Sequence, residues 1–329
     1  MRRAWITAIP LLFAVACKDS APAKTDSAAP APPQATALPA GESMLPVADG
    51  KIWYRKSGGG PGVPLIMVHG GPGFNSYYLK PLEALGDQRT IVRYDQLGGG
   101  KSDGLTDTSK FTIAHFVAEL DSLRASLGYD KVNLLGHSWG TILVYEYYRA
   151  HPEHVQSIVF GSAVFDAAAY VKRANSLVVT LSDSAQKAIK EADAKKQYNT
   201  PSYENAINEF YALYVFRHPP AADLDSTMKQ TNQGIYNYMQ GPSEFVITGT
   251  LKSYNVRAGL PSIKVPVLYT VGEFDEVGPA IIKSFADATP GAKYKLIPGA
   301  AHITSWDNPT VMLEAVREFL TNVDATAKK

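Results

Sequence analysis

A serine between two glycines stands near the middle of the chain, in the pentapeptide GHSWG at residues 136–140. An apolar, strand-like run leads into it, and a run of helical character without proline follows as far as position 151. This order of strand, G-x-S-x-G and helix is typical of a nucleophile elbow, a strained turn that exposes the serine hydroxyl. Glycine suits both flanking positions because a side chain there would clash with the turn. We therefore predict that Ser138 is a nucleophile and that the amides of the following helix point towards developing negative charge.

A serine nucleophile needs a histidine that takes its proton and a carboxylate that orients the histidine. When the serine lies on such an elbow, the acid and then the histidine follow it along the chain. Asp275 comes just after the apolar run Val265–Val271, and His302 just after the run Lys293–Ile297. Both side chains thus fall on loops at the carboxyl ends of predicted strands, from which they can face the elbow. The sequence predicts a catalytic triad of Ser138, Asp275 and His302.

Other residues compete for the roles of base and orienting acid. Glu273 is the main alternative to Asp275, because it lies in the same loop. Five further histidines are placed less well. One adjoins the serine but is directed away from it, one lies on a predicted surface helix, two lie beyond the elbow helix, and one lies in the polar middle of the chain. They are His137, His115, His151, His154 and His218. None of these positions suits a base as well as that of His302.

The tetrahedral intermediate of this chemistry needs two amide donors for its oxyanion, each worth about 3–4 kcal/mol in comparable enzymes. One amide belongs to the residue after the nucleophile, Trp139. The other is expected in the loop HGGPG, residues 69–73, which follows the first buried strand-like run. Pro72 has no N–H, so we predict that Gly71 supplies the second donor.

Strand-like and helix-like segments alternate on both sides of the elbow, which favours a mostly parallel, doubly wound α/β sheet. A hairpin that turns at Asp49-Gly50 precedes them. From about residue 166 to 257 the chain is polar, rich in Tyr, Asn and Gln, and mainly helical in pattern. We interpret residues 43–165 and 258–329 as an α/β core and residues 166–257 as an inserted, mainly helical cap. Such a cap would cover the carboxyl ends of the strands, where open α/β sheets bind ligands.

The composition limits the partners and the covalent chemistry. The chain has 329 residues, 45% of them hydrophobic and 19% charged, which suits a globular protein with a large core. A net charge of +1 provides little attraction for nucleic acid, so we expect no nucleic-acid partner. The single cysteine excludes an intramolecular disulfide. Because no HExxH or clustered ligand motif occurs, we expect chemistry that needs no metal or cofactor.

The first 42 residues differ from the rest of the chain. Residues 1–16 combine a basic start with an apolar run, the layout of a secretory signal that is too short to span a membrane. Cys17 follows small residues and stands where a bacterial lipobox would place its lipidated cysteine. Residues 17–42 are rich in Ala and Pro, and we predict a disordered, lipid-anchored tether. We thus expect a membrane-anchored protein of the bacterial cell envelope, on the periplasmic or extracytoplasmic face; an ordinary cleaved signal is the alternative.

Several motifs together resemble the proline iminopeptidase family of α/β-hydrolase serine aminopeptidases. They are HGGPG at 69–73, DQLGGGKS at 95–102, GHSWG at 136–140, GEFDEV at 272–277 and the Ala-His pair that ends at 302. The segment GPSEFVITGT at 241–250 is most similar to the tricorn-interacting aminopeptidase branch. The resemblance covers about residues 45–320 and implies release of an N-terminal residue, often proline, from short peptides. One departure is GHSWGT where many members carry GGSWGS.

The resemblance also implies how the amino end of the substrate is held. Family members bind the free α-amine with two glutamates, whose positions match Glu244 in the predicted cap and Glu276 beside the predicted acid. Carboxylates in a partly dry pocket suit this task, because a desolvated ammonium without a partner is costly. The alternative function is that of an esterase or amide hydrolase with the same triad, acting on a small non-peptide substrate.

Overall fold

A mixed sheet forms the centre of the protein in the computed structural model, which describes residues 41–218 and 229–327. Its eight strands are β1 (Gly41–Val47), β2 (Gly50–Gly58), β3 (Gly62–Val68), β4 (Arg89–Tyr94), β5 (Val132–His137), β6 (Val155–Gly161), β7 (Val267–Gly272) and β8 (Lys293–Ile297). The predicted hairpin is β1–β2, and β2 also pairs antiparallel with β4. Strands β3 to β8 run parallel to one another. The predicted mostly parallel α/β fold is confirmed.

Helices connect the strands and fill the long interval between β6 and β7. Within the described ranges they are α1 (Ile113–Ser126), α2 (Trp139–Ala150), α3 (Ala167–Val178), α4 (Asp183–Lys195), α5 (Pro201–Tyr214), α6 (Gln233–Met239), α7 (Pro279–Ala288), α8 (Thr304–Asp307) and α9 (Pro309–Ala327). We call the elements from α3 to α6, with the loop that follows α6, the cap. The segment between β3 and β4 forms a 3-10 helix, Tyr77–Asp87, that contains Pro81.

The amino-terminal boundary of the folded part differs from the prediction by two residues. A tether reaching residue 42 is wrong at its end, because β1 begins at Gly41. Glu42 forms ion pairs with Arg55 at 3.3 Å and with Lys101 at 3.1 Å, which joins it to the folded protein. The predicted signal segment, Cys17 and the remainder of the tether lie outside the described residues. No helix in the described ranges is long and apolar enough to cross a membrane.

The strand order explains how distant parts of the chain meet. Strand β3 lies between β4 and β5, so the direction of strand succession reverses there, and ligands bind at such a reversal in open α/β sheets. Val68 is paired with Gly136, so β3 and β5 end at the same level. The loop after β3 and the turn after β5 therefore emerge side by side. Strands β7 and β8, which are parallel to them, send the loops of Asp275 and His302 to the same edge.

The central strands owe their position to uninterrupted apolar sequence. Every residue of β5 and β7 is buried, as expected for parallel strands that are covered on both faces. Strand β7 begins at Val267 and not at the predicted Val265. Pro266 stands between them, and its missing N–H removes one donor from the ladder.

The two glycines of the elbow allow close packing between α2 and the sheet. A Cβ atom at Gly140 would collide with the backbone carbonyls of Val68 and His69 at the end of β3. A Cβ atom at Gly136 would collide with the carbonyl of Gly140. Because backbone atoms cannot move aside as side chains can, α2 approaches the sheet only where both positions lack a side chain.

We predict that Gly140→Ala destabilises the fold by at least about 1–3 kcal/mol, the usual cost of overpacking a core. The measurement is the free energy of unfolding in a denaturant titration. Gly104→Ala is the matched control, because a Cβ atom at that exposed loop position would meet nothing within 4 Å. Equal stability of the two variants would contradict the packing role of Gly140.

Candidate active site

Ser138 occupies the sharp turn between β5 and α2. Its backbone is left-handed, with φ 52° and ψ −124°, a conformation that costs a residue with a side chain about 1–3 kcal/mol. Its N–H donates to the carbonyl of Gly161, at the end of β6, over 3.0 Å. Helix α2 begins at the next residue, so its free N–H groups lie around the serine. This is the geometry of a nucleophile elbow.

Asp275 and His302 lie together on the loops that follow β7 and β8. The Nδ1 atom of His302 is 3.0 Å from Oδ1 of Asp275, and both side chains are buried. The same carboxylate oxygen accepts the N–H of Val277 over 2.9 Å, which fixes its direction. Because the carboxylate is an acceptor, Nδ1 of the histidine carries a proton, and Nε2 is free to take a proton from a nucleophile.

Buried charges around His302 adjust its basicity. Burial alone would lower the pKa of His302, but the neighbouring acids, Asp275 foremost, more than offset this and raise it to about 9. Burial likewise favours the neutral form of Asp275, yet the neighbouring His302 keeps the pKa of that carboxyl below its ordinary value. The two groups therefore stabilise each other as an imidazolium–carboxylate pair.

The residues that competed for these roles lie elsewhere. Glu273 is exposed and accepts the N–H of Gly299 over 2.9 Å. Three other histidines contact groups away from the elbow: His115 faces Asp49, His154 the carbonyl of Asp130, and His218 Asp307. His151 lies beyond α2, and its ring packs at a tilt against that of Tyr147, with 5.0 Å between the ring centroids. His137 is buried beside the triad, and its contacts are described below.

The loop after β3 presents Gly71 to the same cavity as the serine. The carbonyl of Gly70 belongs to the peptide unit that carries the Gly71 N–H, and it lies 2.8 Å from Nδ1 of His69. Nε2 of His69 accepts the N–H of Gln96 over 3.0 Å, so Nδ1 is the donor. Burial lowers the pKa of His69, which keeps one proton on the ring. Fixing the Gly70 carbonyl in this way also fixes the direction of the Gly71 N–H.

Gln96 joins this loop to the other predicted oxyanion donor. Its side-chain amide donates to the carbonyl of His69 over 3.0 Å and accepts the indole N–H of Trp139 over 2.9 Å. The amides of Gly71 and Trp139 are thus carried by backbone segments that one buried side chain links. Such preorganised donors stabilise a developing oxyanion without rearrangement during the reaction.

A cavity that is partly open to solvent connects the elbow with the cap. Gly71, Ser138 and Trp139 line its floor, and Tyr170 and Glu244 of the cap also line it. Its remaining walls are mainly apolar and are contributed by Ile142, Val164, Ala167, Ile247, Leu251 and Tyr254. A small apolar group could therefore lie beside the serine while a charged group reaches Glu244.

The Glu244 carboxylate is held by donors from three parts of the cap. The hydroxyls of Tyr170 on α3 and Tyr236 on α6 both donate to it over 2.6 Å. Gln240 and Tyr211 contribute longer contacts of 3.3 and 3.4 Å. Glu244 therefore keeps a defined position although it lies on a loop.

Glu276 lies where the cap meets the Asp275–His302 pair. Its Oε1 atom is 2.9 Å from the Tyr170 hydroxyl and 3.8 Å from Nε2 of His302, whereas its buried Oε2 has no hydrogen-bond partner among the described residues. Tyr170 has a single hydroxyl proton, and its shorter contact is with Glu244. A proton on Glu276 would complete the second contact, and burial together with the charge of Glu244 raises the pKa of Glu276 well above its ordinary value. Without a ligand, one proton thus separates the two carboxyl groups.

Comparison with known proteins places the chain in a family. A family model described as alpha/beta hydrolase fold matches residues 63–309. The proline iminopeptidase of Heyndrickxia coagulans is 33% identical over 86% of this chain and 99% of its own length. The crystal structure of the proline iminopeptidase from Mycobacterium smegmatis has a TM-score of 0.79 and 29% identity, and covers 87% of this chain and 100% of that one. The crystal structure of VinJ has a TM-score of 0.82 and 28% identity, and covers 86% and 99%.

The chain belongs to the proline iminopeptidase family. The resemblance that the motifs indicated is confirmed at this level, whereas the similarity to the tricorn-interacting branch stays a prediction. In this member of the family, the structure brings Asp275 against His302, and Gly71, Ser138, Trp139 and Glu244 around one cavity. Over residues 41–218 and 229–327, no group of three or more His, Cys, Asp or Glu side chains could hold a metal ion.

Sequence reasoning missed the residues that keep the predicted site residues in position. Tyr170, Tyr211 and Tyr236 surround Glu244, while His69 and Gln96 support the predicted oxyanion loop. A signal for the tyrosines was present, since the predicted cap is rich in Tyr and a buried carboxylate needs donors. His69 and Gln96 stand inside motifs, but their partners are fixed only by the pairing of β3 with β4 and β5.

The raised pKa of His302 predicts the pH dependence of hydrolysis of a neutral ester. Below about pH 9 the imidazole is increasingly protonated and cannot take the Ser138 proton. We expect kcat/KM to rise with pH along a limb well above the ordinary histidine value of about 6.5. The measurement is kcat/KM between about pH 5 and about pH 10 at constant ionic strength, with Ser138→Ala as the blank. A limb at or below about pH 6.5 would show that the carboxylates do not act on His302 as described.

Proposed function

We propose that this protein is a serine aminopeptidase that removes an N-terminal proline or another small apolar residue from short peptides. The observation that carries this proposal is the pair of carboxyl groups, Glu244 and Glu276, that meet at the Tyr170 hydroxyl beside His302. A hydrolase for neutral esters has no use for two acids at this place, and burying them is costly.

An ammonium group has the charge and the donors that this pair lacks. Its three N–H bonds can reach Glu244 and the unpartnered Oε2 of Glu276, and its positive charge replaces the proton that separates the two acids. An N-terminal imino group, as in proline, has two N–H bonds and the same charge. An internal amide has neither the charge nor the second donor, so this pair would select the end of a peptide.

The cavity also suits a compact apolar side chain. Its walls near the serine include Ile142, Val164 and Leu251. The names of the relatives point to proline, whose ring is small and apolar. A side chain of that kind would be desolvated against these walls, at a gain of about 25 cal/mol per Å² of apolar surface buried.

The reaction follows from the roles of the groups. Ser138 attacks the first peptide carbonyl as His302 Nε2 takes its proton, and the oxyanion receives hydrogen bonds from the Gly71 and Trp139 amides. The imidazolium, stabilised by Asp275, then gives its proton to the leaving amine as the C–N bond breaks. Water, deprotonated by His302, hydrolyses the acyl-enzyme and restores the serine. The product of this step is the free N-terminal amino acid, whose amine is held by the glutamates until it leaves.

We predict that Glu244→Gln lowers kcat/KM for a free-amine aminoacyl-arylamide by about 10- to 150-fold, the value of one charge-assisted contact. Glutamine keeps the shape but removes the charge. Hydrolysis of a small neutral ester should not fall, because the ester does not use this contact and losing the Glu244 charge can only lower the pKa of His302 and increase its unprotonated fraction. The measurement compares prolyl-arylamide, its N-acetyl derivative and the ester in the wild type and the variant.

Glu191→Gln on α4 is the matched control, since it removes an exposed carboxylate from the same cap. Wild-type protein should also cleave the N-acetyl derivative far more slowly than the free amine. If both arylamides are cleaved equally well, the esterase or amide hydrolase alternative is correct. If Glu244→Gln reduces ester and arylamide turnover alike, Glu244 has a structural role only.

We also propose that the protein is anchored in the bacterial cell envelope through Cys17, with short peptides reaching it on the extracytoplasmic side. The basis is the position of the only cysteine, directly after an apolar segment with small residues at its end. A tether between an anchor and a folded enzyme lets the cavity face the solvent at a distance from the membrane.

We predict that Cys17→Ser releases the protein from the membrane fraction or leaves its precursor uncleaved. A lipoprotein carries several acyl chains, and more than one chain is needed for firm attachment. The measurement is fractionation of cells that express either form, together with the mass of the mature amino terminus. Wild-type protein that is soluble and not acylated would favour the ordinary cleaved signal.

A further inference from the structure

A hydrogen-bonded chain of buried groups connects the catalytic histidine with the oxyanion loop. It begins at the backbone carbonyl of His302, which lies 2.8 Å from Nε2 of His137. Nδ1 of His137 is 2.9 Å from the hydroxyl of Tyr78, and this hydroxyl accepts the N–H of Gly70 over 2.6 Å. His137, Tyr78 and His302 are each at most 5% exposed. The chain thus spans from the base to the residue before Gly71 without solvent.

Only one arrangement of protons satisfies every contact. The His302 carbonyl is an acceptor, so Nε2 of His137 carries a proton and donates it. Burial lowers the pKa of His137 to about 3, so the ring is neutral and Nδ1 is an acceptor. The Tyr78 hydroxyl must then donate to Nδ1, which leaves its oxygen to accept the Gly70 N–H. Each donor thus has one acceptor, and all the hydrogen bonds are donated in the same direction, from Gly70 towards the His302 carbonyl.

Ring packing supports the same contacts. The rings of His137 and His302 meet edge to face at 4.7 Å between centroids, and those of Tyr78 and His137 at 5.1 Å. The Tyr78 carbonyl, in turn, accepts the hydroxyl of Ser305, three residues after the catalytic histidine, over 2.7 Å. The loop of His302 and the 3-10 helix Tyr77–Asp87 are therefore joined twice, once through His137 and once directly through Ser305.

We propose that His137 and Tyr78 are positioning residues that hold the catalytic histidine and the oxyanion loop in register with each other. The proposal rests on the serine hydrolase chemistry of the proposed function but not on the amine-binding carboxylates. His137 directly precedes the nucleophile, and a residue without a hydrogen-bonding side chain at this position could make neither contact.

The consequence for catalysis lies in the transition state. Gly70 is held on its N–H by Tyr78 and on its carbonyl by His69, so losing the Tyr78 hydroxyl frees one side of the peptide that precedes the Gly71 amide. A donor that moves by a fraction of an ångström still leaves room for the substrate, but it stabilises the oxyanion less. The effect should therefore appear in kcat and not in KM.

The test uses a neutral, activated ester, p-nitrophenyl acetate, with wild type, Ser138→Ala, Tyr78→Phe and Tyr269→Phe. Tyr269→Phe is the matched control because it, too, removes the hydroxyl of a fully buried tyrosine. The Tyr269 hydroxyl is hydrogen-bonded to Thr289 over 2.9 Å. We expect Tyr78→Phe to lower kcat about 5- to 50-fold with KM within about twofold. Tyr269→Phe should leave both constants unchanged. The midpoint of thermal unfolding is measured for each variant.

A second pair of variants separates positioning from packing at His137. They are His137→Gln and His137→Leu. Glutamine offers a donor and an acceptor, so His137→Gln should retain more of the wild-type kcat than His137→Leu, whose side chain fills similar space but makes neither contact. If leucine prevents folding, the comparison of Tyr78→Phe with Tyr269→Phe still decides. Equal kcat in Tyr78→Phe and Tyr269→Phe, or a change confined to KM, would overturn the proposal. If Ser138→Ala keeps the ester activity, it is the proposed function that fails.

Discussion

The left-handed backbone of Ser138 is the constraint on which the other features of the site depend. A serine at φ 52° is unfavourable in isolation, and the surrounding structure must maintain it. The turn is held from three sides: by the Gly161 carbonyl of β6, by buried strand β5, and by α2, which reaches β3 only because Gly140 has no side chain. The hydroxyl is thereby exposed at the sheet edge with the first amides of a helix around it.

Glu276, which is buried, and Glu244, which is partly buried, impose a second condition, which the cap meets. Glu244 and Glu276 would be costly without donors, and the hydroxyl of Tyr170 reaches both. The cap therefore has a role in electrostatics as well as in covering the sheet. Its helices are stabilised by common interactions, such as the N-terminal side-chain caps that Asp166 provides for α3 and Ser182 for α4. What is particular to it is the convergence of tyrosines on one carboxylate.

The sequence was sufficient for the parts of the molecule in which local pattern and chain order carry the information. Apolar runs indicated the central strands, and the loops after them indicated Ser138, Asp275 and His302, because the ends of parallel strands meet at one edge. The supporting contacts were not predictable in this way. Tyr78 and His137 are 59 positions apart, and their meeting depends on the register of β3 with β5 and on a 3-10 helix whose type the apolar spacing did not reveal. The cap was harder still, because its helices join through side chains with no periodic spacing.

The end of α5 is bonded directly to the loop of His302. The N–H groups of His302 and Ile303 donate to the carbonyls of Tyr214 and Val215 over 3.1 and 2.9 Å. Asp307 strengthens the joint, since it accepts the N–H of Ala301 over 2.7 Å on one side and that of Arg217 over 2.9 Å on the other. For protein engineering, this means that the cap is not a removable module. A cap transplanted from a relative to alter selectivity would have to bring the end of α5 with it, so that Tyr214 and Val215 still present their carbonyls to the loop of His302.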